Sequence, residues 1–179
     1  MERGKNRFIY DIAVTAMFTA LIAVCSWLSV SLGDVPFTLQ TFGVFCAAGV
    51  LGAKRGTASV VTYILLGAVG LPVFHGFTGG FGIILGSTGG FMVGFIFSAL
   101  LIGLVADKVG TKFKTMLITM AVGAILYYIT GVLWYMFVFS GSNSFGGVLM
   151  TCVVPFLVPD ALKITAAAIV VNRLSKYVK

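Results

Sequence analysis

Charge is what this sequence has least of. Only 9% of its 179 residues are Asp, Glu, Lys or Arg, against 59% apolar, whereas a soluble domain carries about 25% charged residues. That shortage excludes a soluble globular protein and puts the chain in a bilayer. Carboxylates are scarcer still, five in all, and histidine occurs once, at His75. A membrane-embedded enzyme needs a nucleophile with its base, or a metal cluster, and one loop histidine with one deep carboxylate supplies neither. No catalytic residue, metal site or cofactor is expected, and His75 reads as a surface histidine. The three cysteines, Cys25, Cys46 and Cys152, lie in apolar runs without a C-x-x-C pair, which favours small core hydrophobes over a disulfide framework. There is no G-x-x-x-x-G-K-S/T phosphate loop, so ATP hydrolysis is not expected of this chain. Nor does a Pro/Ser-rich linker divide it, so a single membrane-embedded domain over 1–179 is expected.

What is present is a series of long apolar runs separated by small basic clusters. The net charge of +7 does not point to nucleic acid, because the basic residues are dispersed between hydrophobic segments instead of forming one stripe. A signal peptide is a poor reading of the start, since the run from Ile12 to Leu32 exceeds an h-region of about 7–15 residues. Eleven of the twelve Lys and Arg residues fall at the N-terminus, at Lys54-Arg55, in the 108–114 loop or in the C-terminal tail; the 33–36, 71–82 and 140–147 connections carry none. Under the positive-inside rule this alternation predicts an all-α integral membrane protein of six transmembrane helices, at approximately 10–32, 37–52, 56–73, 83–106, 115–139 and 148–172, with both termini cytoplasmic.

The twelfth basic residue is Lys163, in VPDALK, inside the last apolar run. Pro159 suits the first position of a helix, where a missing N–H costs nothing, and Asp160 then falls in the positive first turn. Lys163 follows at i+3 on the same face. Counting up from Arg173, Asp160 stands roughly 20 Å and Lys163 roughly 15 Å along the helix, so in a hydrocarbon core of about 30 Å the lysine is too deep to reach the interface. A charge at that depth costs at least about 2.5–3.5 kcal/mol and needs a polar partner, water or a ligand. Two readings stand: the floor of a binding cavity, or an ion pair that locks the last helix against its neighbours.

Other polar residues are few enough to weigh singly. Thr38 and Gln40 lie two apart and share a cavity only if the chain there is extended; Gln40 offers two donors and an acceptor to a ligand, a neighbouring helix or interfacial water. Gly67 to Gly90 contains nine glycines, and irregular backbone at membrane depth is tolerated where protein buries it or where it lines a polar cavity. This stretch reads as a lid or wall, or as an interfacial loop whose glycines serve packing. Tyr127, Tyr128, Trp134 and Tyr135 read as interfacial anchors or cavity walls. On the first helix, Ala16 and Ala20 form a small-x-x-x-small pair that admits close approach of another helix, either a partner's or one of the chain's own.

The strings VPFTLQT, LGAKRG, LLGAVGLPVF, the GG-x-G-x-x-L-G-x-T-G-G pattern from Gly79 to Gly90, and PDALK closely resemble the BioY family, the biotin-specific substrate-binding (S) subunits of energy-coupling factor (ECF) transporters. The resemblance extends over nearly the whole chain. It implies a compact six-helix bundle in the bacterial cytoplasmic membrane that binds biotin, as transported ligand, toward the extracellular side. It also implies a membrane coupling (T) subunit and two ATPase (A) subunits as partners, with Ala16 and Ala20 at the docking face. Asp160 and Lys163 match the family's ligand-binding aspartate and lysine. Biotin suits them: its ureido ring has two N–H donors and one acceptor oxygen, which a carboxylate and an ammonium complement. The orientation expected puts the ureido ring on Asp160 and Lys163 and the valeryl carboxylate toward Gln40 and the glycine-loop amides, with Thr38, Thr78, Gly79 and Gly80 as further contacts. The reverse orientation, with Lys163 on the carboxylate, stays open. Alternatives are an S component for another small vitamin, or a self-sufficient oligomeric biotin transporter.

Overall fold

The structure, a computed structural model, describes residues 2–30, 35–138 and 145–178, with side chains from residue 6 onward. The expected ends of the first helix near Gly33-Asp34 and of the fifth near Phe139, and most of the 140–147 turn, lie outside these residues. The protein is almost entirely helical, and among the described residues five helical stretches are long and apolar enough to cross a membrane: Asn6–Trp27, Gln40–Ala68, Gly89–Lys108, Phe113–Val138 and Phe145–Val178. Helix α1 spans Glu2–Trp27, α2 Gln40–Ala68, α3 Phe81–Ile84, α4 Gly89–Lys108, α5 Phe113–Val138, α6 Phe145–Cys152 and α7 Leu157–Val178.

The stretches expected at 37–52 and 56–73 are joined in one helix, α2, which begins later, at Gln40, ends earlier, at Ala68, and is broken at Gly52 with φ 80° and ψ −174°. That backbone region is open essentially only to glycine. Beyond it the chain reverses: a Cβ placed on Gly56 would lie 2.7 Å from the Ala48 Cα, whereas residues eight apart in a straight helix are separated by about 12 Å. The bend is held from outside, as the Ala53 amide donates to Asp107 Oδ2 of α4 at 2.8 Å and Arg55 pairs with Asp11 of α1 at 3.3 Å. The second arm of α2 is tied to α1 by hydroxyls: Thr19 Oγ1 donates to the Ser59 carbonyl and Ser59 Oγ to the Thr15 carbonyl, both at 3.1 Å.

Helix α1 stops at Trp27, short of the expected 32, because Ser29–Val30 pairs antiparallel with Phe37–Thr38. This two-stranded ribbon, β1 and β2, feeds directly into α2. Helix α4 starts at Gly89, later than the expected 83, because the short α3 and a turn come first. The last apolar run is also interrupted. Val153 departs from helical geometry, a single 3-10 turn covers Val154–Phe156 around Pro155, and α7 then begins at Leu157. The restart is therefore set at Pro155, upstream of Pro159, and Asp160 still occupies the first turn of α7. Helices α4 and α5 pack closely where Gly94 meets Tyr127; a Cβ at Gly94 would come within 2.5 Å of the Tyr127 Cα. The core gathers the inward faces of α1, α2, α4, α5 and α7, with Ile22, Phe45, Tyr63, Ile102, Met116 and Val171 fully buried.

Candidate functional site

One end of the bundle holds an open cavity, about 580 Å³ when the solvent at its mouth is counted. It is built from the starts of three helices. Residues 40–41 open α2, 91–95 belong to the first turns of α4, and 160–163 to the first turns of α7. Lys54-Arg55, Lys108 and Arg173 lie farther along these elements, so the cavity is at the end remote from the basic clusters.

Asp160 and Lys163 are 4% and 6% exposed and form an ion pair of 2.8 Å between Nζ and Oδ1. The other carboxylate oxygen, Oδ2, accepts from both the Tyr127 and Tyr128 hydroxyls, the latter at 2.6 Å. Lys163 Nζ also sits 4.2 Å from the centroid of the Phe37 ring, a cation–π contact supplied by the β-ribbon. The buried carboxylate thus meets three donors, and a lone ionised group at this depth would not be tolerated. Of Lys163's three N–H groups one serves Asp160, which leaves two for other acceptors.

Thr38, Gln40 and Thr41 also line the cavity. The chain is extended at Phe37–Thr38 and turns helical at Gln40, the condition under which Thr38 and Gln40 reach one space, and Thr38 Oγ1 accepts the Gln40 amide at 3.2 Å. Gln40 and Thr41 are each 7% exposed, and among the described residues Gln40 Nε2 and Thr41 Oγ1 have no hydrogen-bond partner. A buried polar atom without a partner costs about 1–3 kcal/mol, so these two are fitted to receive one. Phe91, Met92, Phe95 and Phe156 supply the apolar part of the lining.

The glycine-rich connection contributes differently from expectation. Thr78, Gly79 and Gly80 are not among the lining residues, whereas His75 and Thr88 are. The Thr78 hydroxyl turns back to the His75 carbonyl at 2.7 Å, and the Gly80 amide donates to the Gly67 carbonyl at 2.7 Å. A Cβ on Gly79 would strike the Leu71 carbonyl at 2.2 Å, so these residues brace the loop internally. Trp27 pins the same loop through Nε1 to the Pro72 carbonyl at 2.9 Å and by stacking on Phe77 at 5.0 Å. His75, expected at the surface, is half-buried at the cavity, and burial pushes its imidazole below the ordinary histidine value. Cys152 also lines the cavity; all three cysteines are buried and, among the described residues, none forms a disulfide. Ala16 and Ala20 are far from this chemistry, exposed on the outer face of α1 in one stripe with Ile9, Ala13 and Val24.

The residues that sequence reasoning undervalued are Tyr127, Tyr128 and Thr41. Adjacent tyrosines in an apolar run do not disclose that both hydroxyls meet one carboxylate. The usable signal was arithmetical, because a buried Asp needs more donors than one lysine supplies and hydroxyl-bearing residues in apolar runs are the available source.

Residues 2–179 match the BioY family. A biotin transporter BioY of Thermotoga maritima is 45% identical over 163 residues, covering 89% of this chain and 92% of its own length. A probable biotin transporter BioY of Pyrococcus horikoshii is 40% identical over 164 residues, covering 92% and 95%. Among solved structures, the S-component for biotin from an ECF-type ABC transporter superposes with a TM-score of 0.86 at 30% identity, over 96% of this chain and 93% of that one.

Proposed function

The chain belongs to the BioY family, and from that premise we propose that it is the biotin-binding S component of an ECF-type importer in the cell membrane. It would form one binding domain. The bend of α2 at Gly52 turns five apolar stretches into six crossings, with both termini and the basic loops on the cytoplasmic side and the cavity facing outward. The membrane coupling subunit and two ATPase subunits of such an importer supply the energy. The stripe of Ala16 and Ala20 on α1 is the face on which the coupling subunit docks, since small residues allow two helix backbones to approach in lipid.

The observation that carries the reading is the cavity wall. A buried ion pair, unpartnered neutral polar atoms and apolar side chains line one space. Biotin has groups of these kinds: a ureido ring, an apolar bicycle and chain, and a carboxylate. Asp160 Oδ1 accepts a ureido N–H and Lys163 donates to the ureido oxygen, while the carboxylate lies toward Thr38, Gln40 and Thr41. Thr78, Gly79 and Gly80 act by shaping the loop that carries His75.

Titration calorimetry of the purified protein with biotin, for wild type and Asp160→Asn, tests this. Wild type binds tightly and unlabelled thiamine and riboflavin do not compete. The variant weakens at least about tenfold, the loss expected where a hydrogen bond to a charged group is worth about 1.5–3 kcal/mol. A folded wild type that does not bind biotin removes the assignment.

A further inference from the structure

A ligand with one carboxylate brings a negative charge into a cavity whose own charges cancel. Among the described residues the ionisable groups of the lining are His75, Tyr127, Tyr128, Cys152, Asp160 and Lys163. Asp160 and Lys163 neutralise each other as an ion pair of 2.8 Å. Both tyrosines keep their protons, which they donate to Asp160 Oδ2, and neither a phenol nor a thiol can become positive. That leaves His75 as the lining residue able to gain a positive charge. A carboxylate taken out of water needs both hydrogen bonds and a counter-charge; Thr38, Gln40 and Thr41 offer only the first.

Residue 75 is held at the cavity from both sides. Phe74 before it is fully buried, edge-on to Tyr63 at 5.5 Å. After it the backbone turns through the left-handed region at Gly76, φ 64°, and at Phe77, φ 57°, a conformation that bulky residues seldom take. The Phe77 ring stacks on Trp27 at 5.0 Å, and the Thr78 hydroxyl closes the turn on the His75 carbonyl. Strain of this kind persists where the surroundings over-determine it, often at ligand sites. The same end of α1 also carries the neutral donors: the Leu28 carbonyl accepts the Leu39 amide at 3.1 Å, and Ser29–Val30 pairs with Phe37–Thr38. His75 and the Thr38–Gln40 segment therefore hang from one support. Among the described residues the imidazole has no hydrogen-bond or ionic partner, so both ring nitrogens are available.

Resting on the reading of this cavity as a biotin site, we infer that His75 is the counter-charge for the ligand's carboxylate, so that the protein binds the biotin anion together with a proton that the imidazole takes from solvent. Burial alone pushes this imidazole below the ordinary histidine value, and a bound carboxylate raises it again. The loop of residues 71–80 has no other ionisable group. Of the helices packed on it, α1 brings Cys25 and α2 brings Tyr63 near, both uncharged in the ordinary range of their types, while Arg7, Asp11, Lys54 and Arg55 lie toward the other end. Asp34 lies outside the described residues and is retained in every variant. With the bound value above the free one, affinity is greatest below the free value and is lost as pH rises through the bound value.

Titration calorimetry with biotin and with its methyl ester, for wild type and His75→Gln, tests this between about pH 5.5 and 8, where biotin's own carboxyl stays ionised. Buffers of different ionisation heat count the protons taken up. In wild type, biotin binds with proton uptake and weakens by about tenfold across the range, as expected when an adjacent carboxylate favours the imidazolium. The methyl ester shows neither effect. His75→Gln flattens the biotin profile and abolishes the uptake. A flat profile in wild type, an equal slope in His75→Gln, or the same slope with the methyl ester overturns the inference. If His75→Gln does not fold, the comparison of acid with ester on wild type still decides. A wild type that binds neither compound removes the functional reading and this inference with it, whereas a flat profile with tight binding overturns the inference alone.

Discussion

Lys163 is held between a carboxylate at 2.8 Å and an aromatic face at 4.2 Å, and what its remaining N–H groups meet decides how the ligand lies. If they meet the ureido oxygen, Lys163→Ala weakens biotin and biotin methyl ester by similar factors, and any preference between them persists. If they meet the valeryl carboxylate, the preference disappears with the ammonium. Binding curves for both ligands on both proteins separate the cases, and we expect the preference to persist. At this scale Asp160 and Lys163 were legible, because ionisable groups in an apolar run stand out against the cost of burying them. Tyr127 and Tyr128 were not, because tyrosine is equally at home at a membrane interface, and only the approach of α5 to α7 puts their hydroxyls on Oδ2. His75 was misplaced for the same reason: its position depends on the fold of the loop that braces it.

At the scale of elements the least replaceable position is the bend of α2. Gly52 combines φ 80° with an Asp107 oxygen 2.2 Å from where a Cβ would stand. Gly52→Ala should therefore lower stability by about 1–3 kcal/mol from backbone strain alone, with further loss as Asp107 is pushed from the Ala53 amide. Thermal unfolding in detergent measures it, with Gly82→Ala as control, since a Cβ there meets nothing within 4 Å; equal melting points for the two variants would contradict the argument. The sequence signalled this bend through Lys54-Arg55, two charges that cannot stay in hydrocarbon. It did not signal the β-ribbon of Ser29–Val30 with Phe37–Thr38, because two-residue strands leave no periodicity to read. Nor did it separate Pro155 from Pro159 as the restart of the last helix, since either ring can occupy a first turn.

Across the whole molecule, the cavity and the small-residue stripe of α1 occupy separate surfaces. The cavity is inside one end of the bundle, and the stripe of Ala13, Ala16 and Ala20 is outside on α1. Ala16→Leu should leave biotin affinity within about twofold while cutting uptake at least about tenfold in vesicles containing the coupling and ATPase subunits, because bulk on the stripe blocks helix approach. Loss of binding in that variant would show that the two surfaces are linked. The sequence by itself determined that this is a helical, membrane-spanning protein, since hydropathy is a property of residue order. It also singled out the two charges that have to be compensated. Only the tertiary structure decided how they are compensated: two adjacent hydroxyls from α5 and an aromatic face from the ribbon. Those partners lie some 30 to 120 residues away along the chain. No local pattern encodes a contact at that separation; packing in three dimensions sets it.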